Sequence, residues 1–207
     1  GVVHTERDDN EFYSGGEGVS GLSIRAQGHS AASQSAGGYT LRVDPREDVT
    51  VTLGRGADAL TVRADLSGDG AKIDVVDGDA LRSSVDLTLL RGVSKATLLG
   101  TRDLDLTGTD ADEALLGNKG RNVLDGQGGD DKLHGGAGDD WAHGGNGDDI
   151  VTGGSGHDTL MGGKGDDKIT SDIGNDELTG GNGHDTLDGG AGDDQFFAQA
   201  GNDFVIG

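Results

Sequence analysis

The sequence predicts an all-β protein whose second half is a regular solenoid, and three observations predict it. Gly occupies 42 of 207 positions while Pro occurs once. Gly at one residue in five is too poor a helix former for a helical or α/β domain, and without an every-third-Gly period collagen is excluded as well. From Tyr39 onward, short apolar runs alternate with polar residues and recur every 8 to 13 positions between Gly/Asp-rich turns, which is strand-and-turn spacing. From Gly117 the spacing locks at nine residues, and a fixed short period is the mark of a stacked repeat.

Taken in order, residues 1–13 carry no clear period. Residues 14–38 are rich in Gly, Ser and Ala, so 1–38 is expected to be a flexible N-terminal segment and linker. Strands are expected around Leu41/Val43, Val49/Val51/Leu53, Leu60/Val62, Ile73/Val75, Val85/Leu87/Leu89, Leu98 and Leu104/Leu106. Residues 39–116 are expected to form an irregular β-solenoid leading into the regular array at 117–207. That array holds ten consecutive nonapeptides, from GNKGRNVLD to AQAGNDFVI, on the template GGxGxDxUx with U apolar. Position six is Asn122, then Asp131, Asp140, Asp149, Asp158, Asp167, Asp176, Asp185, Asp194 and Asp203. Position eight is apolar throughout, from Leu124 to Val205.

The spacing dictates a geometry. One apolar centre with its neighbours suffices for a very short strand, and GGxGxD supplies a turn whose glycines permit positive φ. Two repeats close one coil of 18 residues, and stacked coils pair at about 4.8 Å. Asp140, Asp158, Asp176 and Asp194 then line one edge, and Asp131, Asp149, Asp167, Asp185 and Asp203 the other. Carboxylates stacked so closely repel. With turn carbonyls beside them they form oxygen-only cages, which suit calcium better than magnesium, whose tight octahedron keeps its waters. One ion per inter-coil gap gives on the order of eight. Residues 117–207 hold 18 acids and five bases, a charge that about eight divalent ions would offset. Ten small apolar side chains cannot order some 90 residues by themselves. The array is therefore expected to be disordered without calcium and folded with it.

These nonapeptides resemble the RTX (repeats-in-toxin) hemolysin-type calcium-binding repeats across Gly117–Ile206. The stretch Gly92–Gly126 resembles their degenerate lead-in, with Gly108–Leu116 a worn repeat carrying Glu113 in the Asp slot. The resemblance implies a right-handed parallel β-roll and type I secretion from a Gram-negative bacterium into calcium-rich surroundings. It also implies ligands from position-six carboxylates and from carbonyls near positions two and four. Those fall on Gly136/Gly138/Asp140, Gly145/Gly147/Asp149, Gly154/Gly156/Asp158, Gly163/Gly165/Asp167, Gly181/Gly183/Asp185 and Gly190/Gly192/Asp194. Asn122 in the first Asp slot implies a weaker site. Gln127, the Ser171-Asp172-Ile173 triplet and Ala198-Gln199 depart from the glycine pattern and place their turns in question.

The formal charge of −22 argues against nucleic acid and anionic membranes as partners. No apolar run approaches the roughly 18 residues of a membrane span. The absence of Cys excludes disulfides and thiolate metal sites. No His pair sits at zinc spacing. No His-Glu-x-x-His or Gly-x-Ser-x-Gly motif marks a metalloprotease or a lipase, so the chain itself is not expected to be an enzyme. The chain opens on Gly1 without a signal-peptide pattern and stops in register at Gly207, as expected of a fragment or an unusual family member.

Minor features carry less. The acids and His at position five read as a solvated outer turn. Trp141, Ile150 and Phe204 at position seven point outward, and Trp141 has the amphipathic ring that could stack on a sugar. Asp65–Gly70 starts like an EF-hand loop but lacks its closing Glu, and Asp44-Pro45 is the sole X-Pro bond. Phe196, Phe197 and Phe204 are expected to cap the far end. The expected function is calcium-coupled folding that supports export through a type I apparatus and extracellular stability of a larger toxin or exoenzyme. Two alternatives remain open. One is a calcium-rigidified surface, adhesion or S-layer-type protein. The other is an accessory module binding an acidic glycan or cell surface beside a polysaccharide-modifying enzyme, favoured by the 11 of 16 bases before residue 117, Arg42, Arg46, Arg55, Arg63, Arg82, Arg91 and Arg102 among them.

Overall fold

The computed structural model describes the backbone of the strands between residues 2 and 77 and every residue from Ala80 to Gly207. All of its elements are β-strands, and they fall into two units, Gly1–Val93 and Ser94–Gly207.

The first unit contains β1 (Val2–Glu6), β2 (Glu11–Ser14), β3 (Ser23–Ala26), β4 (His29–Ala32), β5 (Tyr39–Arg42), β6 (Asp48–Leu53), β7 (Leu60–Asp65), β8 (Lys72–Asp77), β9 (Ala80–Ser83) and β10 (Leu87–Arg91). They lie in the orders β5-β2-β1-β8-β9 and β4-β3-β6-β7-β10. Pairing within each order is antiparallel. Thus residues 39–116 are not of one kind: the strands before Val93 are antiparallel neighbours, as short connections between alternating runs allow. Of the linker expected at 1–38, β1 to β4 are strands and the rest lies outside the described residues. Asp44-Pro45 and most of the Asp65–Gly70 loop lie outside them too.

The second unit contains β11 (Lys95–Leu98), β12 (Leu104–Thr107), β13 (Ala114–Leu116), β14 (Asn122–Gly128), β15 (Lys132–Ala137), β16 (Trp141–Asn146), β17 (Ile150–Ser155), β18 (Thr159–Lys164), β19 (Lys168–Ile173), β20 (Glu177–Asn182), β21 (Thr186–Asp188), β22 (Gln195–Ala200) and β23 (Phe204–Ile206). Odd-numbered strands build one sheet and even-numbered strands the other. Pairing within both is parallel. The register step is 18 residues, as in Leu133↔Val151 and Leu124↔Ala142. Two nonapeptides therefore make one coil, and the parallel β-roll expected from the repeats is what forms. Parallel pairing already begins at Lys95, where the step to Ala114 is 19. The chain thus enters the coil before the repeat is regular.

The core is a file of position-eight side chains. Leu115, Leu124, Leu133, Ala142, Val151, Leu160, Ile169, Leu178 and Leu187 are all buried, while position seven points outward by the strand's two-residue alternation. The file opens at the far end: Val205 is 43% exposed. Of the three expected capping residues, Phe197 and Phe204 stand exposed at 46% and 62%. Phe196 alone turns inward, half-buried and against Gly189 and Gly207. Among the described residues no coil beyond β22 and β23 receives the other two rings.

Candidate metal sites along the two edges of the roll

Each edge is a stack of GGxGxD turns. Position two adopts positive φ, as at Gly154 (115°), and so does position four, as at Gly156 (139°). A Cβ on either would collide with the carbonyl oxygen of the equivalent glycine one coil earlier, Gly136 or Gly138. Turn carbonyls from positions two and four are thus directed along the stack, toward the coil that follows. Asn118 of the first repeat takes no positive φ, but where glycine is missing at position two in the later repeats the backbone keeps the conformation: Gln127, Asp172 and Gln199 sit at φ 76°, 72° and 69°. That costs roughly 1–2 kcal/mol each. Position one is glycine in the other repeats for a different reason, since a Cβ on Gly135 or Gly153 would strike the Oδ2 of its own repeat's Asp140 or Asp158; Ser171 and Ala198 are the exceptions, and the Ser171 hydroxyl donates to Gly189 O at 2.6 Å.

Along each edge the turn carbonyls run from coil to coil. Position-two carbonyls follow the stack: that of Gly145 faces Gly163, and that of Gly163 faces Gly181. At position four, Gly147, Gly165, Gly183 and Gly192 all have positive φ, at 129°, 127°, 140° and 148°. The carbonyl of Gly147 faces Gly165, that of Gly165 faces Gly183 and that of Gly183 faces Gly201. None of the three is turned back onto the aspartate of its own nonapeptide. What lies against Asp149, Asp167 and Asp185 Oδ2 is instead the position-one glycine, Gly144, Gly162 or Gly180. The physical reason is the positive φ, which rotates each carbonyl along the roll axis. The position-two and position-four carbonyls of Gly145 and Gly147 thus lie between consecutive coils, while Asp149 Oδ2 lies against Gly144 of its own repeat. Gly190 and Gly192 are the exception. Each stands over a carbonyl of the preceding coil, Asp172 or Gly174, but among the described residues no later turn covers their own. The Gly190/Gly192/Asp194 set is thus open on one side.

Position six forms a ladder on each edge. The backbone N–H of Asn122 donates to Asp140 Oδ1 at 2.8 Å. Asp140 donates to Asp158 at 2.8 Å, Asp158 to Asp176 at 2.8 Å and Asp176 to Asp194 at 2.9 Å. On the other edge Glu113 donates to Asp131 at 2.7 Å, and the series continues through Asp149, Asp167, Asp185 and Asp203. The structure thus brings together on each edge the aspartates that the 18-residue spacing assigned to it.

Each ladder uses only one carboxylate oxygen. The Oδ2 atoms of Asp131, Asp140, Asp149, Asp158, Asp167, Asp176 and Asp185 are buried without a hydrogen-bond partner. A buried acceptor left unsatisfied costs about 1–3 kcal/mol, and more if charged. Desolvation pushes the Asp131, Asp140 and Asp167 carboxyls up to about 7 and those of Asp149 and Asp158 up to about 6. The ladder N–H groups act against that shift, and neighbouring carboxylates such as Asp149 beside Asp131 add to it. Asp185 is raised for the same first reason. Seven buried oxygens without a hydrogen-bond partner, with position-one carbonyls of the following coil such as those of Gly144 and Gly153 near Asp131 and Asp140, suit a hard cation. Among the described residues no three His, Cys, Asp or Glu side chains converge, so an ion here would draw most of its oxygens from the backbone. Calcium accepts such a carbonyl-rich shell.

The ladder heads differ. Asn122 Oδ1 accepts from the N–H of Asn118 at 2.7 Å, and its Nδ2 donates to Leu104 O at 3.0 Å. Glu113 is buried and accepts from the N–H and hydroxyl of Thr109. Both heads have partners on both polar side-chain atoms, unlike the seven aspartates, whose Oδ2 atoms have none. Asp194 and Asp203 lie at the open end, half-buried. One coil further back, Leu104 pairs with Asn122 and stands buried in the Asp slot.

The outer turn holds a second ladder that composition did not reveal. At position five the donor direction reverses: Asp130 N–H donates to Asp112 Oδ1, Asp148 to Asp130 and Asp166 to Asp148, at 2.8–2.9 Å. His157 and His184 extend it by accepting at Nδ1 from Asn175 and Asn202. The recurrence of Asp, Asn and His at position five was the signal, since each can accept a neighbour's N–H.

A parallel β-roll with buried carboxylate ladders and stacked turn carbonyls defines a cation-binding repeat protein. Four copies of the RTX calcium-binding nonapeptide repeat match at residues 107–142, 134–169, 143–178 and 170–205. The roll of residues 107–205 is built of RTX calcium-binding repeats. No curated protein and no solved structure matches the chain significantly.

Proposed function

We propose that the roll is a calcium-driven folding module of an exported protein, with on the order of eight ions filling the gaps between coils. The observation that carries this reading is the set of seven buried, partnerless Asp Oδ2 atoms at 18-residue spacing. Without a cation they oppose the fold, and with one they hold adjacent coils together, so binding and folding share one free energy. In low-calcium cytosol the chain would stay unfolded, as passage through a type I apparatus requires. In calcium-rich surroundings outside a Gram-negative cell it would fold and stabilise the toxin or exoenzyme that it serves. RTX repeats, which the roll carries, are typical of such exports. The module itself is assigned no catalytic step.

Equilibrium dialysis against calcium, with magnesium in excess as competitor, tests the reading. About seven or eight calcium ions per chain, retained against magnesium, are expected. One or two ions, or equal displacement by magnesium, would overturn it.

A further inference from the structure

The ladders use the two edges of the roll and leave its two broad faces unexplained. These faces differ in charge. On the face of the odd-numbered strands, position seven runs Lys95, Ala114, Lys132, Ile150, Lys168 and Thr186 in successive coils. All three lysines are exposed, and the one acid at position seven or nine of the odd-numbered strands from β11 to β21 is Asp188, beside Thr186 at the far end. On the face of the even-numbered strands, Val123, Trp141, Thr159 and Glu177 follow in the same manner. Asp125 stands beside them and no Lys or Arg occupies either outward position. In a chain of net charge −22, a cationic face is the exception and needs a reason.

We propose that the roll associates with further copies of this chain, the lysine face of one against the Trp141/Glu177 face of the next. The rungs match when two rolls lie parallel. Lys132 and Lys168 stand two coils apart, about 9.6 Å by strand spacing. Trp141 and Glu177 are also two coils apart. Lys168 thus meets Glu177 while Lys132 lies over the Trp141 ring, a cation–π pairing. Between and beside them exposed apolar residues, Ile150 at 43% and Val123 at 42%, complete the contact. Sheets pack in this aligned manner at about 10 Å. Because the two surfaces differ, the contact is heterologous and propagates into a filament rather than closing as a dimer.

The proposal rests on the calcium reading, because only the loaded roll presents rigid faces and only bound cations relieve the repulsion between copies. Sedimentation velocity of the full chain, with circular dichroism on the same samples, tests both. In calcium the folded chain should grow beyond a dimer with rising concentration, and should lose most of that growth when salt screens the faces. K132E/K168E should remain folded and monomeric, and E177K should associate more weakly than the parent. Their mixture should regain association, because the inverted lysine face meets the inverted glutamate. A folded monomer at all concentrations, or growth untouched by K132E/K168E, would overturn the face contact while leaving the calcium reading intact. Unchanged growth in K132E/K168E would assign association to the open end at β22 and β23. A monomer captured by a polyuronate gel and released by K132E/K168E would give the face to an anionic polymer instead. Failure to fold in calcium, seen by dichroism, would remove both readings.

Discussion

A single aspartate in this roll performs two tasks with its two oxygens. Oδ1 of Asp158 accepts the N–H of Asp140 one coil earlier, while its Oδ2 is aimed inward without a partner. Asp158→Ala removes both. The orphaned Asp140 N–H alone should cost about 1–3 kcal/mol in calcium, and the loss of a ligand adds to that. The expected outcome is a lower urea midpoint in calcium and a less steep calcium titration. An unchanged midpoint would show that the ladder bond is not a stabilising contact. This two-fold role was half legible in the sequence. The nine-residue period assigns each aspartate to an edge, but nothing in the spacing says that one oxygen is spent on the neighbouring coil's backbone.

At the scale of the turn, position two keeps its left-handed backbone even where glycine is absent. Gln127, Asp172 and Gln199 hold φ near 70° with side chains in place. Gln127→Gly relieves roughly 1–2 kcal/mol of left-handed strain against about 0.4–1 kcal/mol of added freedom in the unfolded chain. The variant should therefore be more stable by about 0.5–1 kcal/mol, read as a raised urea midpoint in calcium. The sequence marked these turns as departures, correctly as to position. It could not show that the backbone holds there, because that depends on the coils on either side. Nor could it show that the carbonyls of Gly147, Gly165 and Gly183 face the following coil, since a nine-residue template groups oxygens by repeat. The position-five ladder was hidden similarly. Asp139 and His157 look like solvated turn residues until Asp139 Oδ1 is seen accepting the His157 N–H at 2.9 Å. The entry to the coil at Lys95 was obscured by a 19-residue step and by Leu104 in an Asp slot, which hide the period from the same template.

At the scale of the whole molecule, the roll stacks carboxylates along two edges. The sign of its pH response follows from the raised carboxyls. In the metal-free roll Asp131, Asp140 and Asp167 titrate at about 7, and Asp149 and Asp158 at about 6, against an ordinary value of 3.8. Between those limits the folded state holds more protons than the unfolded chain, so metal-free stability falls as pH rises from about 4 to about 7. In chelator the chain should show more β-structure at pH 5 than at pH 7.5. In calcium the order reverses in affinity: protons compete for the same oxygens, so the calcium midpoint should rise on acidification to pH 5.5. A calcium affinity indifferent to pH would mean that these carboxylates are not ligands. The all-β class and the paired edges were legible from glycine content and the locked period. The antiparallel strands before Val93 were not distinguished from a solenoid, because alternating apolar runs read alike in either pairing.

The most direct measurement of calcium-coupled folding is far-UV circular dichroism of the full chain during a calcium titration, with magnesium as control and Trp141 fluorescence alongside. A steep gain of β-signal with calcium alone at neutral pH, with a parallel change at Trp141, is the result expected. A spectrum already β-rich in chelator and unmoved by calcium would contradict it, because the seven inward carboxylates would then be tolerated without a cation.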